Sequence, residues 1–159
     1  MAVSIERVKR YFQQWNIEDR ILEFDVSSAT VELAAQALGC EGARIAKSLS
    51  LQDGHDGAVL VVAAGDARLD NHKFKEEFGI KPKMLRFEEV EPLVGHAVGG
   101  VCPFALNEGI EVFLDVSMKR FPTIFPACGS ANSAIELTMT ELEKYSRAEK
   151  WVDVCKNWH

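Results

Sequence analysis

The run Arg44-Ile-Ala-Lys-Ser-Leu-Ser-Leu51, then Gln52-Asp-Gly-His-Asp-Gly57, then Ala58-Val-Leu-Val-Val-Ala63 decides the fold. Successive strand side chains point to opposite faces. In the first run, Ile45, Lys47, Leu49 and Leu51 therefore share one side, and Ala46, Ser48 and Ser50 the other. The last run is continuously apolar, the pattern of a strand covered on both faces. The six residues between them are rich in Asp and Gly, which suit a reversal of the chain. The stretch reads as a hairpin whose second strand lies in the middle of a sheet. Its odd member is Lys47. A polar group among aliphatic neighbours must be paired or face a cleft. One reading is a lysine that snorkels at the sheet edge. The other is a cation that holds a phosphate or carbonyl oxygen at the mouth of a pocket.

Working outward, Ser4 caps a helix whose apolar face carries Ile5, Val8, Phe12 and Trp15. Ile21 to Val26 reads as a short strand. Ser27 and Ser28 lead into a helix over Thr30 to Leu38, closed by Gly39. Beyond the hairpin, Asp70 is the N-cap of a helix running to about Phe78, with Gly79 ending it. Pro82 precedes a short strand, Met84 to Phe87, and a short helix, Glu88 to Val94. Further strands are expected at Glu111 to Val116, Thr123 to Pro126 and Ala134 to Thr138. Thr140 and Glu143 suggest a capping box for a helix through Tyr145. Helices and strands are mixed without a regular βαβ alternation. The expectation is one α+β domain on a mixed sheet.

The chain has 159 residues, 47% hydrophobic and 26% charged, which is globular rather than disordered composition. None of Cys40, Cys102, Cys128 and Cys155 lies within four residues of another, so no zinc-ribbon spacing exists and no metal is expected. Met1 to Arg10 interrupts its apolar residues with charge, unlike a signal peptide. The longest apolar run, Ala58 to Ala64, is too short to span a bilayer. The reading is a cytoplasmic protein with reduced thiols and no membrane contact. The net charge of −6 argues against wide, sequence-blind wrapping of nucleic acid. Two local groups are basic: Arg7, Lys9 and Arg10, and Lys73, Lys75, Lys81, Lys83 and Arg86. Each reads first as a solvated face.

Gly99-Gly100 permits a turn that brings amide groups close to a ligand oxygen, with Pro103 fixing the exit of the loop. Ala127-Cys-Gly-Ser-Ala-Asn-Ser133 is a small-residue loop suited to a turn or a pocket floor. His96 lies in the glycine-rich loop and reads as an exposed loop histidine, with acid or base work as the alternative. Cys102 is a conceivable nucleophile without a partner histidine in sight. Asp115, at a strand end, reads as a turn acceptor rather than a base.

Four segments together resemble a known family. Ala46-Lys-Ser-Leu49, Gly65-Asp-Ala-Arg-Leu-Asp70, Glu89-Val-Glu-Pro-Leu-Val-Gly95 and Gly99-Gly-Val-Cys-Pro-Phe104 occur in the order and spacing of the YbaK/EbsC family. That family includes the editing domain inserted in bacterial prolyl-tRNA synthetases. The likeness runs from about residue 28 to 145. It leaves an N-terminal helix and strand (1–27) and a tail (146–159) outside, the whole reading as a single unit. The resemblance implies a mixed sheet curled toward a barrel. It also implies hydrolysis, in trans, of mischarged aminoacyl-tRNA, best known for tRNA(Pro) carrying cysteine or alanine. The tRNA acceptor end is the implied ligand, a prolyl-tRNA synthetase the implied partner, and no cofactor is needed.

By the same resemblance, Lys47 contacts the terminal adenosine or the aminoacyl ester. Gly99, Gly100, Cys102 and Pro103 wall the pocket, and Gly129, Ser130 and Asn132 fall in a second pocket loop. Members of the cysteine-specific branch often carry serine at the position of Cys102, glycine at that of Ala105, and a basic, glycine-rich second loop. This chain departs at all three places. An activated ester needs an oriented water and a donor for the developing oxyanion, not a protein nucleophile. The substrate's own ribose hydroxyl, or its thiol, then serves as proton acceptor. Two alternatives stand beside this reading: a non-catalytic module binding a nucleotide, small ligand or protein in the same cleft, and a hydrolase using the Cys102 thiol.

Overall fold

The computed structural model describes residues 4–158, so the chain's first three residues and His159 lie outside it. In chain order the elements are α1 (Ser4–Phe12), β1 (Leu22–Glu23), α2 (Val31–Leu38), β2 (Ile45–Gln52), β3 (Ala58–Ala64), β4 (Arg68–Leu69), α3 (Asn71–Phe78) and α4 (Phe87–Val94). There follow β5 (Glu111–Asp115), β6 (Thr123–Pro126), β7 (Ser133–Ala134), β8 (Leu137–Thr138), α5 (Met139–Ser146), β9 (Lys150–Val152) and β10 (Cys155–Lys156).

The hairpin forms as its alternation implies. β2 and β3 pair antiparallel from Ala46 opposite Ala64 to Gln52 opposite Ala58. Around them runs a six-stranded sheet in the order β8-β6-β2-β3-β5-β9. The β2–β6, β3–β5 and β5–β9 pairs are parallel, and β6–β8 is antiparallel. The sheet is therefore mixed, and it curls into a half-barrel flanked by the helices. β3 is buried along its whole length, as its apolar run requires.

α1 closes one side of this core. Val8 and Phe12, one helical turn apart, are fully buried, and the Phe12 ring stands 4.8 Å from that of Phe104. α2 closes another, setting Ala34 against Ile45 and Phe125 in a separate small cluster. The Asp70 N-cap read in the sequence forms, and Thr30, read as the first residue of its helix, is instead the N-cap of α2. Thr30 accepts from the Leu33 amide at 3.1 Å, and Asp70 from the His72 and Lys73 amides at 3.0 Å.

Several local expectations are corrected. Only Leu22 and Glu23 of the 21–26 stretch are strand, paired to Ala134 and Ser133. The 134–138 stretch is two strands, because the chain changes partner from β1 to β6 between them. Met84 makes one bridge to Leu51 rather than a strand, and Phe87 already opens α4. The last capping box uses Thr138 and Glu141, two residues before the expected pair. Ser4 is the first residue of α1, and its hydroxyl is hydrogen-bonded to His96.

The tail is part of the sheet. β9 extends it beside β5, and β10 pairs with β4. Trp151 donates its indole N–H to Glu143 at 2.8 Å under the Lys119 ammonium, and Trp158 lies beneath Arg120. Among the described residues, no helix is long and apolar enough to cross a membrane.

Candidate functional site

Where β2 faces the start of α2, the sheet leaves a cleft of about 350 Å³. β2 supplies Ile45, Ala46, Lys47, Ser48 and Ser50; the approach to α2 supplies Ser28 to Val31. Met84, Leu85, Phe87 and Val90 form a second wall. Val98, Gly99 and Val101 form a third, closed by Phe125, Ala127, Ser133 and Ala134. The lining is mainly apolar with a few hydroxyls and one ammonium, the usual make-up of a ligand pocket.

Lys47 is half-buried on this wall. Its ammonium donates to the carbonyl oxygen of Ala67 and lies 3.5 Å from that of Gly65. Burial lowers its pKa from the ordinary lysine value, with Cys155, Asp66 and Glu32 opposing that shift. An ammonium has three N–H groups. Both acceptors lie on the turn after β3, outside the cleft lining.

The hydroxyls were not singled out in the sequence. Ser28 and Ser48 each bury an Oγ that has no hydrogen-bond partner among the described residues, and both line the cleft. An unpaired buried hydroxyl costs about 1–3 kcal/mol, which a ligand or water relieves. The signal was present as Ser48 and Ser50 alternating on β2. Serines on one strand face, however, read as an ordinary solvated side.

Of the residues proposed from the sequence, Lys47 and Gly99 meet on the cleft wall; Gly100, Cys102, Pro103, Gly129, Ser130 and Asn132 are not among its lining residues. Those six build the support behind it. The Gly100 amide donates to the Ala97 carbonyl at 3.0 Å, and Gly99 has φ +96°, which makes Ala97–Gly100 a type II turn. The Gly100 N–H is thus spent in the turn rather than offered to a ligand. A Cβ on Gly100 would lie 2.8 Å from the Gly129 carbonyl, so the two loops touch backbone to backbone. Gly129 in turn approaches Ser4 of α1 as closely. Ser130 hydrogen-bonds Asn132 Oδ1 at 3.0 Å and Ser133 Oγ at 2.7 Å, and Asn132 donates to the Phe24 carbonyl at 2.9 Å.

Cys102 is fully buried, and desolvation pushes its thiol up to about 12. Its sulfur sits 3.5 Å from His96 Nε2 and 3.8 Å from the Phe104 carbonyl. The thiol is buried and off the cleft lining, out of reach of a substrate held there, which argues against the thiol-hydrolase alternative. His96 is corrected too: it is fully buried, not an exposed loop residue. The Phe104 carbonyl accepts from Nε2 at 2.7 Å, so that nitrogen carries the proton and Nδ1 accepts from the Ser4 hydroxyl. Burial lowers the His96 pKa, keeping the ring neutral. Asp115 is a structural acceptor as read, taking the amides of Ser117 at 3.0 Å and Val154 at 2.9 Å.

The basic groups thin out in three dimensions. Arg7 donates to the carbonyls of Gly95 (2.7 Å) and Ala105 (2.8 Å) and so fastens both ends of the glycine-rich loop to α1. Ala105 adopts φ +53°, a left-handed conformation that glycine takes most readily. Lys9 pairs with Glu23 at 3.0 Å, and Lys73 with Asp153 at 3.0 Å. Lys75, Lys81, Lys83 and Arg86 stay exposed. Among the described residues, no group of three His, Cys, Asp or Glu side chains could hold a metal ion.

Known proteins resemble this chain over most of its length. The profile of the "Aminoacyl-tRNA editing domain" family matches residues 26–145. "Uncharacterized protein YwhH" of Bacillus subtilis is 54% identical over 156 residues, covering 98% of this chain and 99% of that one. The "Putative Cys-tRNA(Pro)/Cys-tRNA(Cys) deacylase EbsC" of Enterococcus faecalis is 28% identical over 131 residues, 80% of each chain. A solved structure described as "a putative trans-editing enzyme for prolyl tRNA synthetase" superposes with a TM-score of 0.86 at 30% identity. It covers 98% of this chain and 99% of its own.

Proposed function

The chain belongs to the aminoacyl-tRNA editing domain family, and from that premise we propose that it is a trans-acting deacylase of mischarged tRNA(Pro), removing cysteine or alanine. The observation that carries this reading is the shared wall of one cleft. Lys47, Gly99, and Ser28 and Ser48 with their unpartnered hydroxyls all line the same space. The rest of the lining is apolar, so charge developing on an oxygen meets donors and little competing water.

In the proposed reaction the terminal ribose and its aminoacyl ester enter the cleft. A water oxygen attacks the ester carbonyl carbon. The carbonyl oxygen becomes an oxyanion, stabilised by the Lys47 ammonium, a serine hydroxyl and backbone N–H near Gly99. The proton of the attacking water passes to the oxygen of the neighbouring ribose hydroxyl, which releases its own proton in turn, or to the substrate's thiolate when the amino acid is cysteine. The carbon–oxygen bond to the ribose then breaks, and the ribose oxygen takes up that proton. The scheme needs no protein nucleophile, in keeping with the core positions of Cys102 and His96.

Editing is needed because a pocket that fits proline excludes a smaller residue by only about 1–3 kcal/mol per methylene. The acidic chain offers a small cationic footprint, so a prolyl-tRNA synthetase delivering the tRNA belongs to the proposal. The description of the solved neighbour as a trans-editing enzyme for that synthetase supports it. The whole chain, tail included, is proposed to act as one editing unit.

The test is tRNA(Pro) charged in turn with labelled cysteine, alanine, serine and proline and incubated with the purified protein. The expected result is loss of the cysteinyl or alanyl ester well above buffer, with the prolyl ester spared. No ester lost faster than in buffer would overturn the reading in favour of a binding module.

A further inference from the structure

The mouth of the cleft carries apolar surface that the hydrolytic step does not use. Phe87 is 77% exposed, the most exposed of the large hydrophobic side chains among the described residues, and it lines the cleft. Met84 and Val98, about half exposed, line it too. A single exposed apolar residue needs no explanation, but three on the rim of one pocket mark a contact surface. Phe87 is also fixed in place. It is the first residue of α4, the preceding Arg86 amide donates to Glu89 at 2.9 Å, and the Leu85 amide donates to Ser50 of β2 at 2.9 Å.

Charge argues for the occupant. Lys81, Lys83 and Arg86 are exposed on the segment that leads into Phe87. Arg86 is shared with Glu88 and Glu89, which leaves Lys81 and Lys83 as the cations directed to solvent. An aromatic face beside a short run of cations is the arrangement that holds unpaired nucleic acid: bases stack on the ring while phosphates meet the cations. Resting on the deacylase reading, we propose that Phe87 is a positioning residue, a stacking platform for an unpaired base near the 3′ end of the tRNA, with Met84 and Val98 flanking it. Every base has a π-face, so the platform tolerates base identity. It sets how the terminal ribose enters the cleft and takes no part in bond breaking.

Phe87 is exposed, so its replacement leaves the core intact. Phe87→Ala is expected to raise KM for charged tRNA roughly ten-fold or more with kcat close to wild type, and Phe87→Trp to restore KM, since losing one stacked base costs about 5- to 150-fold in binding. In Phe87→Trp the indole is expected to be quenched on adding the single-stranded trinucleotide CCA, relative to wild type. This second reading stands even if no ester is hydrolysed, so failure of the platform and failure of the deacylase reading are separable. An unchanged KM in Phe87→Ala, or no quenching by the trinucleotide, would overturn the platform. So would a defect seen only when a synthetase is present, which would make the rim a protein contact.

Discussion

At the scale of single residues, the chemistry and the support are divided. Lys47, Ser28 and Ser48 border the cleft, whereas His96 and Cys102 are core groups. His96 joins α1 to the glycine-rich loop through Ser4 and the Phe104 carbonyl. Its folded pKa is depressed below 6.5, so the unfolded chain takes up a proton first as pH falls. The stability it contributes is therefore complete above about pH 6.5 and is lost progressively as pH drops below it. His96→Gln, which keeps a donor and an acceptor, removes this dependence. Melting temperatures from pH 7.5 to about 5 are predicted to fall more steeply for the wild type than for the variant; parallel curves would contradict the assignment. Lys47 was legible because a cation broke an apolar alternation. The two serines were not, because a hydroxyl reveals its lack of a partner only in three dimensions.

At the scale of elements, the site is two loops held against α1. Arg7 fastens the ends of the glycine-rich loop, and Gly100 lets that loop touch Gly129, which itself approaches Ser4. Gly100→Ala places a methyl 2.8 Å from backbone that has little freedom to move. The predicted cost is about 1–3 kcal/mol of stability, read as a lower denaturation midpoint, with weaker deacylation as the Gly99 turn shifts. A variant as stable and active as the wild type would refute the close contact. The β2–β3 hairpin, the Gly39 stop of α2, the Asp70 cap of α3 and the core face of α1 were readable because they rest on local periodicity and capping chemistry. The split of the 133–138 stretch and the meeting of Gly100 with Gly129 were not. Both depend on partners distant in sequence, and no local pattern encodes which strand a short segment pairs with.

At the scale of the whole molecule, a six-stranded half-barrel sheet, with two short two-stranded pairs beside it, leaves the open cleft that is the candidate site. The tail, outside the resemblance, supplies the edge strand β9 and packs Trp151 and Trp158 against the core. Pairing of Arg7, Lys9 and Lys73 within the chain leaves a small basic footprint near the cleft mouth rather than a basic face. That economy suits recognition of one end of a tRNA and not its body. The most direct measurement is the single-turnover rate of ester loss from Cys-tRNA(Pro) and Ala-tRNA(Pro) with wild-type protein and with Lys47→Ala, both checked for folding by circular dichroism. The account predicts hydrolysis by the wild type and, as for removal of a transition-state donor, a loss of about 100-fold or more in the variant. A folded Lys47→Ala protein that deacylates as fast as the wild type would contradict it.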